Sequence, residues 1–267
     1  KQNQFPFFRK KGGIEYDICK DLLGGFGLYS AGDCYLLFFK KTGRRNQIDQ
    51  IEKTKRSTAM KPLSRGIFIS IEGPDGSGKS TQIENIKEFF RKKGIDFVFT
   101  REPGGTAIGE RIREIILDKN CKEMDYMTEA MLYAAARAQD VAEVIRPALA
   151  EGKVVLCDRF VDSSIAYQGY GRRLGDAVTI INGYAVGECI PDLTLLMKLD
   201  PRVGKHRIKE ELQDRLEAEK EAFHMEVYKG YLELEKRYPE RIYGIDASGS
   251  IDEIKREIYA KLEEIIG

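Results

Sequence analysis

The 267-residue chain contains no C-x-x-C pair, and its five cysteines (Cys19, Cys34, Cys121, Cys157 and Cys189) are scattered and odd in number. That argues against a disulfide framework or a cysteine-held zinc and for reduced thiols in a cytosolic chain. Histidine is scarce. His206 and His224 both lie in charged, helix-like surroundings, which suits surface positions better than ligands. No guanine-reading N-K-x-D occurs, so a GTPase switch is disfavoured. No signal-peptide cleavage pattern is present. The net charge of +1 says nothing about partners.

What is present fits a globular protein: 42% hydrophobic and 33% charged residues. The charge is unevenly split. Residues 1–66 hold 14 basic against 6 acidic residues, and the remainder holds 30 against 37. A basic arm therefore precedes a mildly acidic body. Within the arm, Leu22–Phe39 has eighteen residues and one charge, near the lower length for a membrane span. Its four glycines and central Asp33 speak against one, since an acid mid-membrane costs about 2.5–3.5 kcal/mol. Lys40–Arg56 reads as a solvated linker. Neither a membrane nor a nucleic-acid partner is expected. Met60 stands just before the first good strand, so residues 1–59 are expected to be an extension outside the native protein and 60–267 its one domain.

The body alternates short apolar runs with helical patterns. Strands are expected at Ile67–Glu72, Asp96–Thr100, Lys153–Cys157, Asp192–Lys198 and Arg241–Ile245. Helices are expected at Ser80–Lys93, Thr106–Leu117, Thr128–Glu151 and Pro201–Tyr238, with another from Ser250. This order implies a three-layer α/β/α fold around a parallel sheet, with ligands at the C-terminal strand ends. Between the first strand and helix lies Gly73-Pro74-Asp75-Gly76-Ser77-Gly78-Lys79-Ser80, which fits G-x-x-x-x-G-K-[ST] in its required context. Glycines let the backbone N–H groups converge on one anion, and the helix N-terminus adds partial positive charge. Lys79 suits the β/γ-phosphates, Ser80 suits Mg²⁺, and Thr81 continues the cradle. ATP or GTP binding follows.

Three further segments narrow the class. Thr100-Arg101-Glu102-Pro103-Gly104-Gly105-Thr106 ends the second strand, and Asp158-Arg159-Phe160 ends the third, running on through Ser163, Ser164, Tyr167, Gln168 and Gly169. Tyr133-Ala134-Ala135-Ala136-Arg137-Ala138-Gln139 lies on a helix. With the phosphate loop, these closely resemble thymidylate kinase of the bacterial type, over about residues 65–267.

The resemblance implies ATP + dTMP → ADP + dTDP in a cytoplasmic homodimer. Arg159 should grip the acceptor phosphate, with Arg101 as a second candidate. Asp158, placed like a Walker-B acid, should hold Mg²⁺ directly or through water, with Glu102 weaker in that shell. Asp75 should meet the acceptor's 3′-hydroxyl. Arg172 and Arg173 match a variant in which a mobile lid carries arginine to the transferring phosphoryl group. Tyr133, where the family more often has Phe, should stack on thymine while Arg137 donates to O4. Ser164 and Gln168 should complete the base and sugar contacts, and Tyr167 should fill the space of a ribose 2′-hydroxyl. Asp246-Ala247-Ser248 should lie near adenine, and Asp214–Glu217 should serve structure more than chemistry. A kinase of another nucleotide or nucleoside, and a binding protein without transfer activity, remain as alternatives.

Overall fold

The computed structural model describes residues 65–205 and 214–266. The expectations for residues 1–59, including Leu22–Phe39 and Lys40–Arg56, lie outside the described residues, as does the stretch 206–213.

Five strands, β1 (Phe68–Glu72), β2 (Phe97–Arg101), β3 (Val154–Asp158), β4 (Leu193–Lys198) and β5 (Ile242–Asp246), form one parallel sheet in the order β2-β3-β1-β4-β5. The period-2 alternation of strand side chains builds two cores. Ile69 and Ile71 of β1 pack with Leu156 and Leu195 beneath α1 (Lys79–Lys93) and α9 (Ile251–Ile266), against Ile86, Phe90 and Ile258. On the opposite face Phe68 joins Val155, Cys157, Phe160, Val141 and Val186. Each such side chain buried contributes about 1.5–3 kcal/mol. No helix among the described residues is long and apolar enough to cross a membrane.

Strand register brings the chemistry together. Asp158 pairs laterally with Ile71 on one side and with Arg101 on the other, so the phosphate loop and the two motif-bearing strand ends emerge side by side.

The helices depart from expectation in three places. The helix expected over Thr128–Glu151 is α3 (Tyr126–Asp140), a π-helical stretch (Val141–Ile145) and α4 (Arg146–Ala150), after α2 (Ala107–Leu117). Pro147, which cannot donate a backbone hydrogen bond, opens α4, and the widened turn directly precedes it. Between β3 and β4 lie α5 (Val161–Ser164), a second π-helical stretch (Ile165–Gly171) and α6 (Asp176–Val186), for which no helix was expected. The helix expected over Pro201–Tyr238 is interrupted: α7 (Pro201–Lys205) is short and α8 (Glu221–Arg237) starts late. Asp214 Oδ1 accepts from the N–H groups of Leu216 and Glu217, both at 2.8 Å. That local turn competes with the helix for the same donors.

Candidate active site

The chain turns from β1 into α1 through glycines that the geometry requires. Gly76 is left-handed (φ +76°), and a Cβ there would lie 2.3 Å from the carbonyl oxygen of Gly204 on α7. No side chain caps α1 at Gly78 and no acid sits in its first turn, so the helix presents free N–H groups and partial positive charge. They face a cavity of about 760 Å³. Ser77, Lys79, Ser80 and Thr81 line it on one side, and Ala247 and Ile251 on the other. Lys79 is folded inward, its Nζ donating to the carbonyls of Gly73 (3.0 Å) and Pro74 (2.9 Å). Burial, then neighbouring Arg159, pushes its ammonium down to about 8. Asp158 also lines this cavity, and its buried Oδ1 has no protein hydrogen-bond partner. That carboxylate oxygen and the exposed Ser80 hydroxyl are the donor set a hard divalent cation such as Mg²⁺ takes.

A second, tighter cavity of about 130 Å³ adjoins the first. Asp75, Arg113, Arg159 and Glu217 line both, and so mark where two ligands would meet. Arg159 is left-handed (φ 65°), a strained conformation for a side-chain-bearing residue, held by its N–H on Ile71 O at 3.0 Å. Its guanidinium bonds Asp75, the Gly73 carbonyl (3.0 Å), and the hydroxyls of Ser163 (3.2 Å), Tyr231 (3.1 Å) and Tyr167 (3.3 Å). Burial alone would raise the Asp75 carboxyl, but Arg159 and Lys79 pull it down to about 2. Tyr167 donates to Asp75 Oδ2 at 2.7 Å. Behind Arg159, buried Glu72 accepts from Tyr231 (3.0 Å) and Ser163 (2.5 Å). Its carboxyl is raised to about 7, by burial first and then by Asp162.

The floor of the tighter cavity is a buried arginine. Arg137, 1% exposed, donates from Nε to Glu102 Oε2 (2.5 Å), from Nη1 to Ser164 Oγ (2.8 Å) and Asn182 Oδ1, and from Nη2 to Phe160 O (3.0 Å). Four of its five hydrogens are thus used, and one on Nη2 is left. Burial pushes Glu102 up to about 8, against the pull of Arg137. The Tyr133 ring lines the same space. Gln168 donates to Glu129 at 3.0 Å, while its buried Oε1 has no protein partner.

Two adjoining cavities thus share a pair of arginines beside a phosphate loop. The thymidylate kinase family model matches residues 71–258. A thymidylate kinase from Exiguobacterium sp. is 52% identical over 195 residues, 72% of this chain and 92% of that protein. One from Geobacillus sp. (strain WCH70) is 49% identical over 208 residues, 76% of this chain and 99% of its own. The crystal structure of thymidylate kinase from Ehrlichia chaffeensis superposes with a TM-score of 0.61 at 30% identity, over 74% of this chain and 99% of that one. The chain belongs to the thymidylate kinase family.

Within this family member, several residues expected at the site stand elsewhere. Arg101 is ion-paired with Glu110 at 2.8 Å and lines neither cavity. The arginine at the junction is Arg113, on α2 one turn beyond Glu110; its Nη1 donates to Pro103 O at 2.9 Å. Nothing in the local pattern marks it; the amphipathic spacing of α2 is the same with or without it. Glu102 lines the tighter cavity and not the one with Ser80 and Asp158, and its Oε2 accepts from Arg137 Nε. Arg172 is 6% exposed and carries two carboxylates, Glu129 (3.1 Å) and Glu219 (2.5 Å), between the rings of Tyr126 and Phe223. Arg173 is exposed, with φ 60°. Neither arginine lines the cavities, so this geometry is not that of a lid closed over ATP. Asp214, Leu216 and Glu217, expected to be structural, do line the tighter cavity.

Proposed function

We infer that the chain transfers the γ-phosphoryl group of ATP to the phosphate of dTMP, giving ADP and dTDP. The observation that carries this reading is the pair of adjoining cavities whose shared wall holds Arg113, Arg159 and Asp75. Phosphoryl transfer needs little covalent work from protein; it needs alignment and neutralised charge. ATP phosphates fit the amide cradle of 73–81, with Lys79 turning from its two carbonyls to the β/γ-oxygens. Mg²⁺ at Ser80 and Asp158 would neutralise charge on those oxygens. Arg159 and Arg113 hold the dTMP phosphate, their planar forks matching its oxygens. Asp75 exchanges one of its present partners for the 3′-hydroxyl. Tyr167, which donates to Asp75, would fill the space of a 2′-hydroxyl.

Base choice follows from the unused groups. The remaining Nη2 hydrogen of Arg137 suits O4 of thymine, and Gln168 Oε1 suits its N3–H, with the Tyr133 ring against the base face. Cytosine would set an amino group against Arg137 and a lone pair against Gln168 Oε1. The cytoplasm is the proposed compartment, in keeping with the free thiols Cys121, Cys157 and Cys189. A homodimer through helix faces is supported by exposed Ile108 and Ile115 on α2 and Met131 on α3.

The test is an acceptor screen with ATP, following ADP release with dTMP, dUMP, dCMP and AMP. dTMP is expected to give the highest kcat/KM. A tenfold preference for dCMP or AMP would overturn the reading.

A further inference from the structure

A glutamine can offer either end of its amide to a ligand, and which end it offers is decided by what holds the other. Gln168 lies on the π-helical stretch Ile165–Gly171, 1% exposed, with its backbone oxygen fixed by Leu174 N–H at 3.2 Å. Its Nε2 donates to Glu129 Oε1 at 3.0 Å. Glu129 is 0% exposed and surrounded by donors. Its Oε1 also accepts from Arg172 Nε (3.2 Å), and its Oε2 faces Arg172 Nη2 (3.1 Å) and Arg215 Nη2 (2.7 Å). Every contact on this carboxylate is one it accepts or an ion pair, from the Gln168 amide and two guanidinium groups. A flipped Gln168 would bring oxygen against oxygen in a dry site. The amide therefore stands one way, and on this cavity-lining residue the buried Oε1 is left without a partner. A buried acceptor without a partner is rare enough to need a reason.

We propose that Glu129 is a positioning residue that sets pyrimidine selectivity without touching the pyrimidine, by fixing which end of the Gln168 amide faces the base. This rests on the reading above that Gln168 Oε1 accepts from the acceptor's N3–H. With the amide locked, the wall pairs with a ring N–H and repels a ring nitrogen lone pair. With the amide free to turn, it accommodates both.

The test compares kcat/KM for dTMP and dCMP in the wild type, Glu129→Gln, Glu129→Asp and Gln168→Leu. Glu129→Gln can both donate and accept, so it releases the amide. Glu129→Asp keeps the charge for the arginines but withdraws the acceptor from Gln168. Because the dTMP/dCMP ratio does not depend on the fraction of folded enzyme, partial unfolding does not blur it. Both Glu129 variants are expected to lower the ratio about tenfold, through KM for the pyrimidine nucleotide, with KM for ATP unchanged. A merely structural role would move both KM values or neither and leave the ratio alone. An unchanged ratio in both Glu129 variants, with a lowered ratio in Gln168→Leu, would overturn the role of Glu129 while sparing that of Gln168. An unchanged ratio in Gln168→Leu would remove the base-reading role of Gln168 and the proposal with it.

Discussion

The two cavities are built on opposite plans. The larger one is centred on backbone: one contiguous turn, the open end of α1 and Lys79 form its phosphate-loop side. The smaller one is a side-chain structure, in which residues from α3, the β3–α5 connection, the second π-helical stretch and α6 interlock through buried hydrogen bonds and the 214–217 turn adds to the lining. A main-chain cradle recognises charge and shape, which every nucleoside triphosphate shares. A side-chain network that leaves only a few groups unpaired fixes individual donors and acceptors, which is what telling one base from another requires.

The sharpest way to break that contrast is at Lys79, the one side-chain cation of the larger cavity's wall that neither adjoins nor enters the smaller. Lys79→Met should lower kcat by about 10²–10³-fold with an unchanged urea midpoint; near-normal turnover would remove the lysine from the transfer. Arg172→Met tests a residue that neither cavity includes. It leaves buried Glu129 and half-buried Glu219 short of a partner and should cost about 3 kcal/mol of stability in urea unfolding. A hundredfold loss of kcat with an unchanged midpoint would return Arg172 to the transferring phosphoryl group. Arg159→Lys keeps the charge but loses the fork, and should raise KM for dTMP about tenfold while sparing KM for ATP. An effect confined to ATP would reassign Arg159 to the other cavity.

The smallest effect is a proton. Free Lys79 titrates near 8 because of burial and then Arg159, and bound phosphates favour its charged form. Above pH 8 the complex therefore holds more protons than its parts, and ATP affinity should fall as pH rises through that value. Calorimetry in buffers of different ionisation enthalpy should show proton uptake at pH 8.5 that disappears in Lys79→Arg.

The same contrast explains what could be read in advance. Residues 73–81 are contiguous, and their roles follow from spacing and from the strand and helix on either side. The sheet was legible because each buried strand is a short apolar run. Tyr133 and Arg137 were placed at the smaller cavity only by family resemblance. Arg113, Asn182 and Glu129 were missed, since each matters through a partner 39 or more residues away or through a turn of helix that sequence does not distinguish. The surroundings of Arg172 were hidden for the converse reason: a basic pair in a glycine-flanked stretch looks like a loop, and nothing local reveals that Glu129 and Glu219 converge on it.

The cations of the two cavities are already engaged before any nucleotide arrives: Lys79 on carbonyls, Arg113 on Pro103, Arg137 on Glu102 and Arg159 on Asp75. Substrate capture is then an exchange of acceptors, not the quenching of bare charge. The grip on each nucleotide's phosphate groups is only the margin between two well-matched sets of contacts. Such a site can let go of two highly charged products at the end of every cycle, because the protein itself waits to reclaim the places they vacate.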